Sequence, residues 1–249
     1  MSAALTDDAP QIVCTVPTYN EAGNIEPLVQ ELIGLGPTVS VLVIDDHSPD
    51  GTWRLVEAMG ESEPRIRCLH RTEDKGRGRS GRDGFVEALG MGAEIVIEMD
   101  ADFSHQPSYI PALIERLQSD PKIGLVLGSR GVAGGKDADR GFLRQVITQC
   151  ANLYIRLLLG VAVRDCNSGF RCWDGQTLRA IDVGSTFSVG PAIVQELLFK
   201  TARAGIGISE VPIAFVNRYK GESTLTLRIL FTGYVTVLKL RWMALTGRL

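Results

Sequence analysis

Apolar residues along this chain fall into short unbroken runs, separated by stretches whose apolar positions recur at helical spacing. Ile12-Val-Cys-Thr-Val16 is the first run and is stopped by Pro17. Val39 to Ile44, Ile66 to His70, the run from Glu94 through Ile95 to Met99, and Ile123 to Leu127 follow. Runs of this length without alternation predict strands buried on both faces. Between them, Leu28, Val29, Leu32, Ile33 and Leu35 outline one face of a helix. Asn24 is its expected N-cap, and Pro27 falls in the first turn, where a missing N–H is harmless. Shorter helices are predicted near Trp53 to Met59, at Phe85 to Met91 and over Ser108 to Leu117. Strand and helix in alternation predict an α/β protein with a mostly parallel central sheet and helices on both faces.

Past Arg130 the alternation stops. Val132 to Arg140 reads as a glycine-rich, charged loop, and Phe142 to Leu159 and Val189 to Ala204 as helices. Ile206 to Val216 contains Glu210-Val-Pro-Ile213, a strand whose proline belongs at a sheet edge. Leu225 to Leu245 is predicted as an amphipathic helix, with Arg228, Lys239 and Arg241 among its apolar residues.

The polar residues matter most where the strands end. Pro17-Thr-Tyr-Asn-Glu21, Asp45-Asp46, Asp100-Ala-Asp102 and Ser129-Arg130 all fall at carboxyl ends, where open parallel sheets bind ligands. Asp100 and Asp102 are i and i+2, so on extended chain both carboxylates face one point. Their repulsion is relieved by a cation between them, and all-oxygen ligation selects Mg²⁺ or Mn²⁺, with diphosphate oxygens completing the shell. The bland competitor is an acidic loop fraying into solvent.

Composition narrows the classes. The 249 residues suffice for one large or two small domains, and a formal net charge of −3 argues against a nucleic-acid binder. Five cysteines, odd in number and without a Cys-x-x-Cys pair, suit a reducing cytoplasm. The first ten residues are polar and acidic, unlike a signal peptide, and no stretch is long and apolar enough to span a bilayer. The expectation is a cytoplasmic protein, peripheral to a membrane.

Gly76-Arg-Gly-Arg-Ser-Gly81 imitates a dinucleotide fingerprint, but Arg71 to Lys75 intervene between it and the preceding strand. A flexible basic loop is expected instead, with Lys75, Arg77, Arg79 and Arg82 either touching anions or simply solvated. His105 is expected to pack at a helix entry. Nucleophile-elbow and zinc-hydrolase motifs are missing.

Taken in order, Val16-Pro-Thr-Tyr-Asn-Glu21, Ile44-Asp-Asp-His-Ser-Pro-Asp-Gly-Thr52, Met99-Asp-Ala-Asp102, Gly128-Ser-Arg130, Asn167-Ser-Gly-Phe-Arg171 and Glu210-Val-Pro-Ile213 resemble the inverting family-2 glycosyltransferases. Within them, the likeness is greatest to the dolichol- or polyprenol-phosphate mannose synthases, over roughly residues 11 to 224. The resemblance implies a GT-A (nucleotide-diphospho-sugar transferase) fold. Its nucleotide-sugar half would be 11–130, its acceptor half 131–224, and its amphipathic C-terminal helix 225–249. It implies that Pro17, Tyr19, Glu21, Ile44 and Asp46 hold the nucleoside, that Asp100, Ala101 and Asp102 hold the diphosphate and its metal, and that Arg218 closes over the donor with Gly221-Glu-Ser223. Arg130, Arg144 and Thr148 fall where the family gathers the acceptor phosphate. Asp102, Arg130 and Arg144 are the residues expected to carry catalysis, and Glu196 matches an acidic position. The chain departs from the pattern at Thr224, where lysine is common, at Gly131 and Arg140, where aromatic residues are, and at Arg77, where an apolar residue is.

The implied reaction moves a hexose, with GDP-mannose favoured as donor, to dolichyl or polyprenyl phosphate at a membrane surface, with or without a separate membrane subunit. Transfer of glucose or N-acetylglucosamine from a UDP-sugar, and a non-catalytic nucleotide-binding module, are the alternatives.

Overall fold

The expected alternation of strand and helix is present in a computed structural model of the protein, which describes residues 11–137, 142–215 and 227–248; the side chains of 142–144 and 227–231 lie outside that description. The elements run β1 (Ile12–Thr18), α1 (Ile25–Ile33), β2 (Val39–Asp45), α2 (Thr52–Ser62), β3 (Ile66–His70), α3 (Arg77–Gly90), β4 (Ile95–Glu98), α4 (Ile110–Gln118) and β5 (Ile123–Ser129). There follow α5 (Phe142–Leu159), β6 (Arg171–Asp174), α6 (Gly175–Ala180), α7 (Ile193–Arg203), β7 (Gly207–Pro212) and α8 (Leu227–Leu245). The seven strands form one sheet in the order β3-β2-β1-β4-β6-β5-β7. Only β6 runs against its neighbours, pairing antiparallel with both β4 and β5. The carboxyl ends of β1, β2, β4 and β5 therefore share an edge with the amino end of β6.

Period-two alternation sorts the strand residues into two cores. Val13, Leu42, Ile44, Val96, Leu125 and Trp173 pack with Phe85 of α3, Ile155 of α5, Leu197 of α7 and Leu240 of α8. Ile12, Cys14, Val16, Val41 and Ile97 face the other way, onto Leu28 of α1, Val56 of α2 and Leu113 of α4. Helices thus cover both faces, which is why the strands read as continuous apolar runs.

Several local expectations need correction. Pro17 does not stop β1, which continues to Thr18. Pairing with β4 ends at Thr15↔Glu98, so beyond that point β1 has only β2 beside it and a residue without an N–H is tolerated. Asn24 occupies the N-cap of α1 without a side-chain cap bond; its Nδ2 donates to Glu21 Oε2 at 2.7 Å instead. The basic glycine-rich stretch is the start of α3 and not a flexible loop. Gly78, Gly81 and Gly84, three residues apart, let the helix press close. A Cβ at Gly78 would overlap the Ser188 carbonyl oxygen, and one at Gly84 would come within 2.7 Å of Ile44 Cδ1.

Candidate active site

The loops after β1 and β2 are cross-tied by carboxylates, of which Asp45 and Asp46 are buried. Asp45 accepts hydrogen bonds from Thr18 Oγ1 (2.8 Å), Ser48 N–H (2.7 Å) and Ser48 Oγ (2.6 Å). Ser48 Oγ in turn accepts the Asn20 N–H at 2.9 Å, and Thr52 Oγ1 accepts that of Glu21 at 3.0 Å. Asp50 accepts from the N–H groups of Ala22 and Thr52 and from Thr52 Oγ1. Partial burial would raise the Asp50 pKa, but these hydrogen bonds outweigh it and hold the carboxyl below its usual range. Asp46 pairs with Arg71 and accepts the Gly76 N–H at 2.8 Å, fixing the entry to α3. Asn20, His47 and Phe103 all adopt positive φ (61°, 58° and 59°), one in each loop after β1, β2 and β4. Backbone held in this region persists only where the surroundings over-determine it.

The expected nucleoside contacts divide. Tyr19 is 56 % exposed at the sheet edge, and Pro17 and Glu21 are half-buried. Ile44 and Ala101, by contrast, turn their side chains into the core. Any contact they make with a ligand is a backbone contact.

After β4 the chain bends. Asp102 is buried and its Oδ1 accepts the Ser104 N–H at 3.1 Å, whereas the Asp100 side chain is 40 % exposed. The two are thus unequal, one anchored in the fold and one facing the open edge. His105 is buried and packs, as expected, its ring stacked on Phe170 at 5.1 Å, and Nδ1 accepts the Asp100 N–H at 3.1 Å. Burial drives its pKa below the ordinary histidine value against the pull of Asp100 and Asp102. Among the described residues no cluster of three or more His, Cys, Asp or Glu side chains forms a complete metal cage. The two oxygen-only carboxylates fit a hard cation that takes the rest of its shell from ligand oxygens.

The basic residues of α3 are paired with acids. Arg77 contacts Glu98 at 3.0 Å and Asp100 at 3.6 Å, Arg79 pairs with Asp74, and Arg82 with Asp83 at 2.8 Å. These arginines therefore sit on a helix and in ion pairs, not on a loose loop.

At the end of β5, Arg130 forms a two-pronged pair with Asp165, Nε to Oδ2 at 2.7 Å and Nη2 to Oδ1 at 2.9 Å. Burial would raise the Asp165 pKa, but the Arg130 hydrogen bonds hold it low. The guanidinium also lies 4.9 Å from the Phe215 ring centre. Beside it opens a cavity of about 360 Å³, lined by Arg130, Lys136, Gln145, Thr148 and Asn152 among others. Arg130 and Thr148 are thus brought to one space. Arg144 sits one turn before Thr148 on α5, in the turn whose side chains lie outside the description. Arg218, Gly221-Glu-Ser223 and Thr224 lie outside the described residues altogether.

Sequence reasoning missed Asp165, Lys136 and the amide chain in which Gln195 donates to Asn167 (2.6 Å) and Asn167 to Asn152 (2.7 Å). The only signal for Asp165 was its place two residues before Asn167-Ser-Gly-Phe-Arg171. Glu196 is fully buried and accepts the N–H groups of Phe187 and Ser188, so it shapes the loop that receives Gly78.

Residues 14–180 match the family model described as glycosyl transferase family 2. The undecaprenyl-phosphate mannosyltransferase of Micrococcus luteus is 38% identical over 243 residues, covering 96% of this chain and 99% of that protein. The polyprenol monophosphomannose synthase of Mycolicibacterium smegmatis is 35% identical over 212 residues, 85% of this chain and 79% of that one. Among solved structures, the glucosyl-3-phosphoglycerate synthase of Mycobacterium tuberculosis, crystallised with Mn²⁺, UDP-glucose and phosphoglyceric acid, superposes with a TM-score of 0.70 at 20% identity, covering 96% of this chain and 80% of that one.

Proposed function

The chain belongs to glycosyl transferase family 2 and carries the GT-A fold, and on that premise we propose that it transfers mannose from GDP-mannose to a polyprenyl phosphate, with inversion at the anomeric carbon. The observation that carries this reading is one shared edge of the sheet. Asp100 and Asp102 stand at the end of β4, and the cavity beside Arg130 stands at the end of β5, two strands away. The names of the bacterial relatives, both acting in polyprenol-phosphate mannose chemistry, support the choice of sugar and acceptor.

A phosphate monoester has a second pKa of about 6, so its oxygen is already nucleophilic at neutral pH and no general base is needed. This agrees with His105, whose Nδ1 lone pair is engaged by the Asp100 N–H. The protein's task is positioning and charge stabilisation. Asp165 fixes the plane of the Arg130 guanidinium before the acceptor arrives. Arg130, with Thr148 and Arg144, then holds the acceptor phosphate behind the anomeric carbon. A divalent ion bound by Asp100 and Asp102, Mg²⁺ or Mn²⁺, would supply neutralisation of the departing nucleoside diphosphate. In this reading residues 11–130 serve the donor, with Tyr19 and Glu21 at the nucleoside, and residues 131–224, joined by Arg130 at the boundary, serve the acceptor. Labelled GDP-mannose and UDP-glucose, each incubated with polyprenyl phosphate, test the proposal. Lipid-linked label is expected from GDP-mannose. Label from UDP-glucose alone would reassign the donor, and nucleotide binding without transfer would leave a binding module.

The acceptor's lipid requires access to a bilayer, yet among the described residues no helix is long and apolar enough to cross one. The reading adopted is peripheral contact through α5 and α8. These helices pack together, the Tyr154 hydroxyl donating to the Tyr234 carbonyl at 3.1 Å. α8 buries Val237 and Leu240 in the core and exposes Val235, Leu238, Trp242 and Leu245; α5 exposes Ile147, Leu153 and Leu157, the last at 76 %. Such an apolar face beside Lys239 and Arg241 suits an anionic interface. Because α8 also closes the core, point substitutions test this better than truncation. Leu157→Asp with Trp242→Asp is expected to abolish flotation with anionic vesicles while the melting temperature holds. Unchanged flotation would move the contact elsewhere or to a partner subunit.

A further inference from the structure

Beneath the paired carboxylates lies an ion cluster that the reaction outlined above does not use. Glu98, in β4, is almost wholly buried, and its register partner across the antiparallel pair is the fully buried Arg171. Arg171 spends its hydrogen bonds on the Ser168 and Val194 carbonyls, at 2.8 and 2.7 Å. Arg77, the first residue of α3, reaches the cluster with Nη2 3.0 Å from Glu98 Oε1 and 3.6 Å from Asp100 Oδ1. One nitrogen is thus shared between a buried carboxylate and the half-exposed carboxylate at the sheet edge. Glu98 Oε2, Arg77 Nη1 and Arg171 Nη2 are buried without hydrogen-bond partners. The cluster is therefore held by charge more than by saturated hydrogen bonding, which leaves Arg77 able to shift between its two acids.

We propose that Arg77 is a positioning residue that engages Asp100 in the donor-free enzyme, so that capture of a divalent ion depends on the nucleoside diphosphate. The inference rests on the reading of Asp100 and Asp102 as the residues that hold the ion. An arginine stays protonated under all accessible conditions. Its charge beside Asp100 repels an incoming dication and competes with it for the same carboxylate. A nucleoside diphosphate brings several negative charges and its own oxygen ligands, and these overcome that opposition. Glu98, the nearer and deeper acid, draws Arg77 away from Asp100 and sets how strongly it competes. Metal and nucleotide then bind with positive coupling, and the coupling is reciprocal.

The test is Mn²⁺ binding by calorimetry, alone and with saturating GDP, corrected for chelation by free GDP. Arg77→Leu alone would leave Glu98 buried without its hydrogen-bond partner, so the informative variants are Glu98→Gln and the double variant Arg77→Leu/Glu98→Gln. The double variant removes one charge of each sign, so its effect reports the Arg77–Asp100 contact and not the local net charge. It is expected to bind Mn²⁺ alone about tenfold tighter than wild type, with a much smaller change when GDP is present. Glu98→Gln by itself, which commits Arg77 to Asp100, is expected to weaken binding of Mn²⁺ alone. Opposite shifts of this kind would not come from a merely structural role. Wild-type Mn²⁺ affinity in both variants, or tighter binding in Glu98→Gln, overturns the inference while GDP-dependent Mn²⁺ binding by wild type leaves the metal reading standing. If wild type binds no Mn²⁺ even with GDP, the metal reading fails and the inference with it. Should the double variant not fold, the sign of the Glu98→Gln shift still decides.

Discussion

The two ends of the active edge are built on different principles. At β1, β2 and β4 the acidic side chains mostly serve the protein itself. Asp45, Asp46 and Asp50 accept backbone, hydroxyl and guanidinium donors and lock three loops, and beyond β4 the Asp100 side chain stands half-exposed at the open edge. At β5 and α5 the polar groups instead line an open space, and the strong pair of Arg130 with Asp165 braces its wall. The first region is a rigid cradle whose geometry is set by internal hydrogen bonds. The second is a cavity whose character is set by what lines it.

The largest expected effect divides the two regions cleanly. Asp102→Asn should lower transfer by about a hundredfold or more, the scale of losing a preorganised charge contact, and should abolish Mn²⁺-dependent nucleotide binding while the fold survives. Arg144→Ala and Thr148→Val should instead raise the apparent Michaelis constant for polyprenyl phosphate about tenfold and leave nucleotide binding unchanged. Steady-state kinetics with nucleotide calorimetry read both. Loss of donor affinity in the α5 variants would erase the distinction between the regions.

A smaller effect sharpens it. Asp165→Asn leaves the Arg130 charge without its buried partner and should cost about 3 kcal/mol of stability, measured by urea denaturation at neutral pH. The Asp165 pKa is depressed in the folded protein, so its contribution is fully present above the unfolded carboxyl pKa of about 4. That contribution is lost as pH falls through the lower folded value. The gap between wild type and variant should therefore close in acid. A gap that stays constant down to strongly acidic pH would show that the pair does not brace the cavity as described. Asp50→Ala, which removes the acceptor at an exposed site in the cradle, is expected to cost less, about 1 kcal/mol, the usual worth of a helix-entry cap.

Much of the sheet was legible because buried parallel strands write themselves as apolar runs, and β1 to β5 read as such with only their ends misplaced. β6 was not legible. Arg171-Cys-Trp-Asp174 is four residues long and begins with an arginine, which composition alone assigns to the surface. Its burial is possible only because the Ser168 and Val194 carbonyls receive its guanidinium and Glu98 lies opposite. The start of α3 was hidden for the converse reason. Gly76 to Gly81 looks like a loop until Ser188, Val189 and Gly190 press against it and make the absence of Cβ atoms an advantage.

The sequence by itself determined the layered α/β plan, the placing of Asp100, Asp102 and Arg130 at strand ends, and the family whose motifs those residues spell. These follow from local rules, since period, run length and motif order do not depend on distant residues. The tertiary structure alone decided how each charge is used. It turned Ile44 and Ala101 into core, paired Arg130 with Asp165 35 residues away, and shared Arg77 between Glu98 and Asp100. A charge buried in a protein must find its partner wherever the fold brings one. That partner is fixed by strand order and helix packing, and sequence distance carries no trace of it.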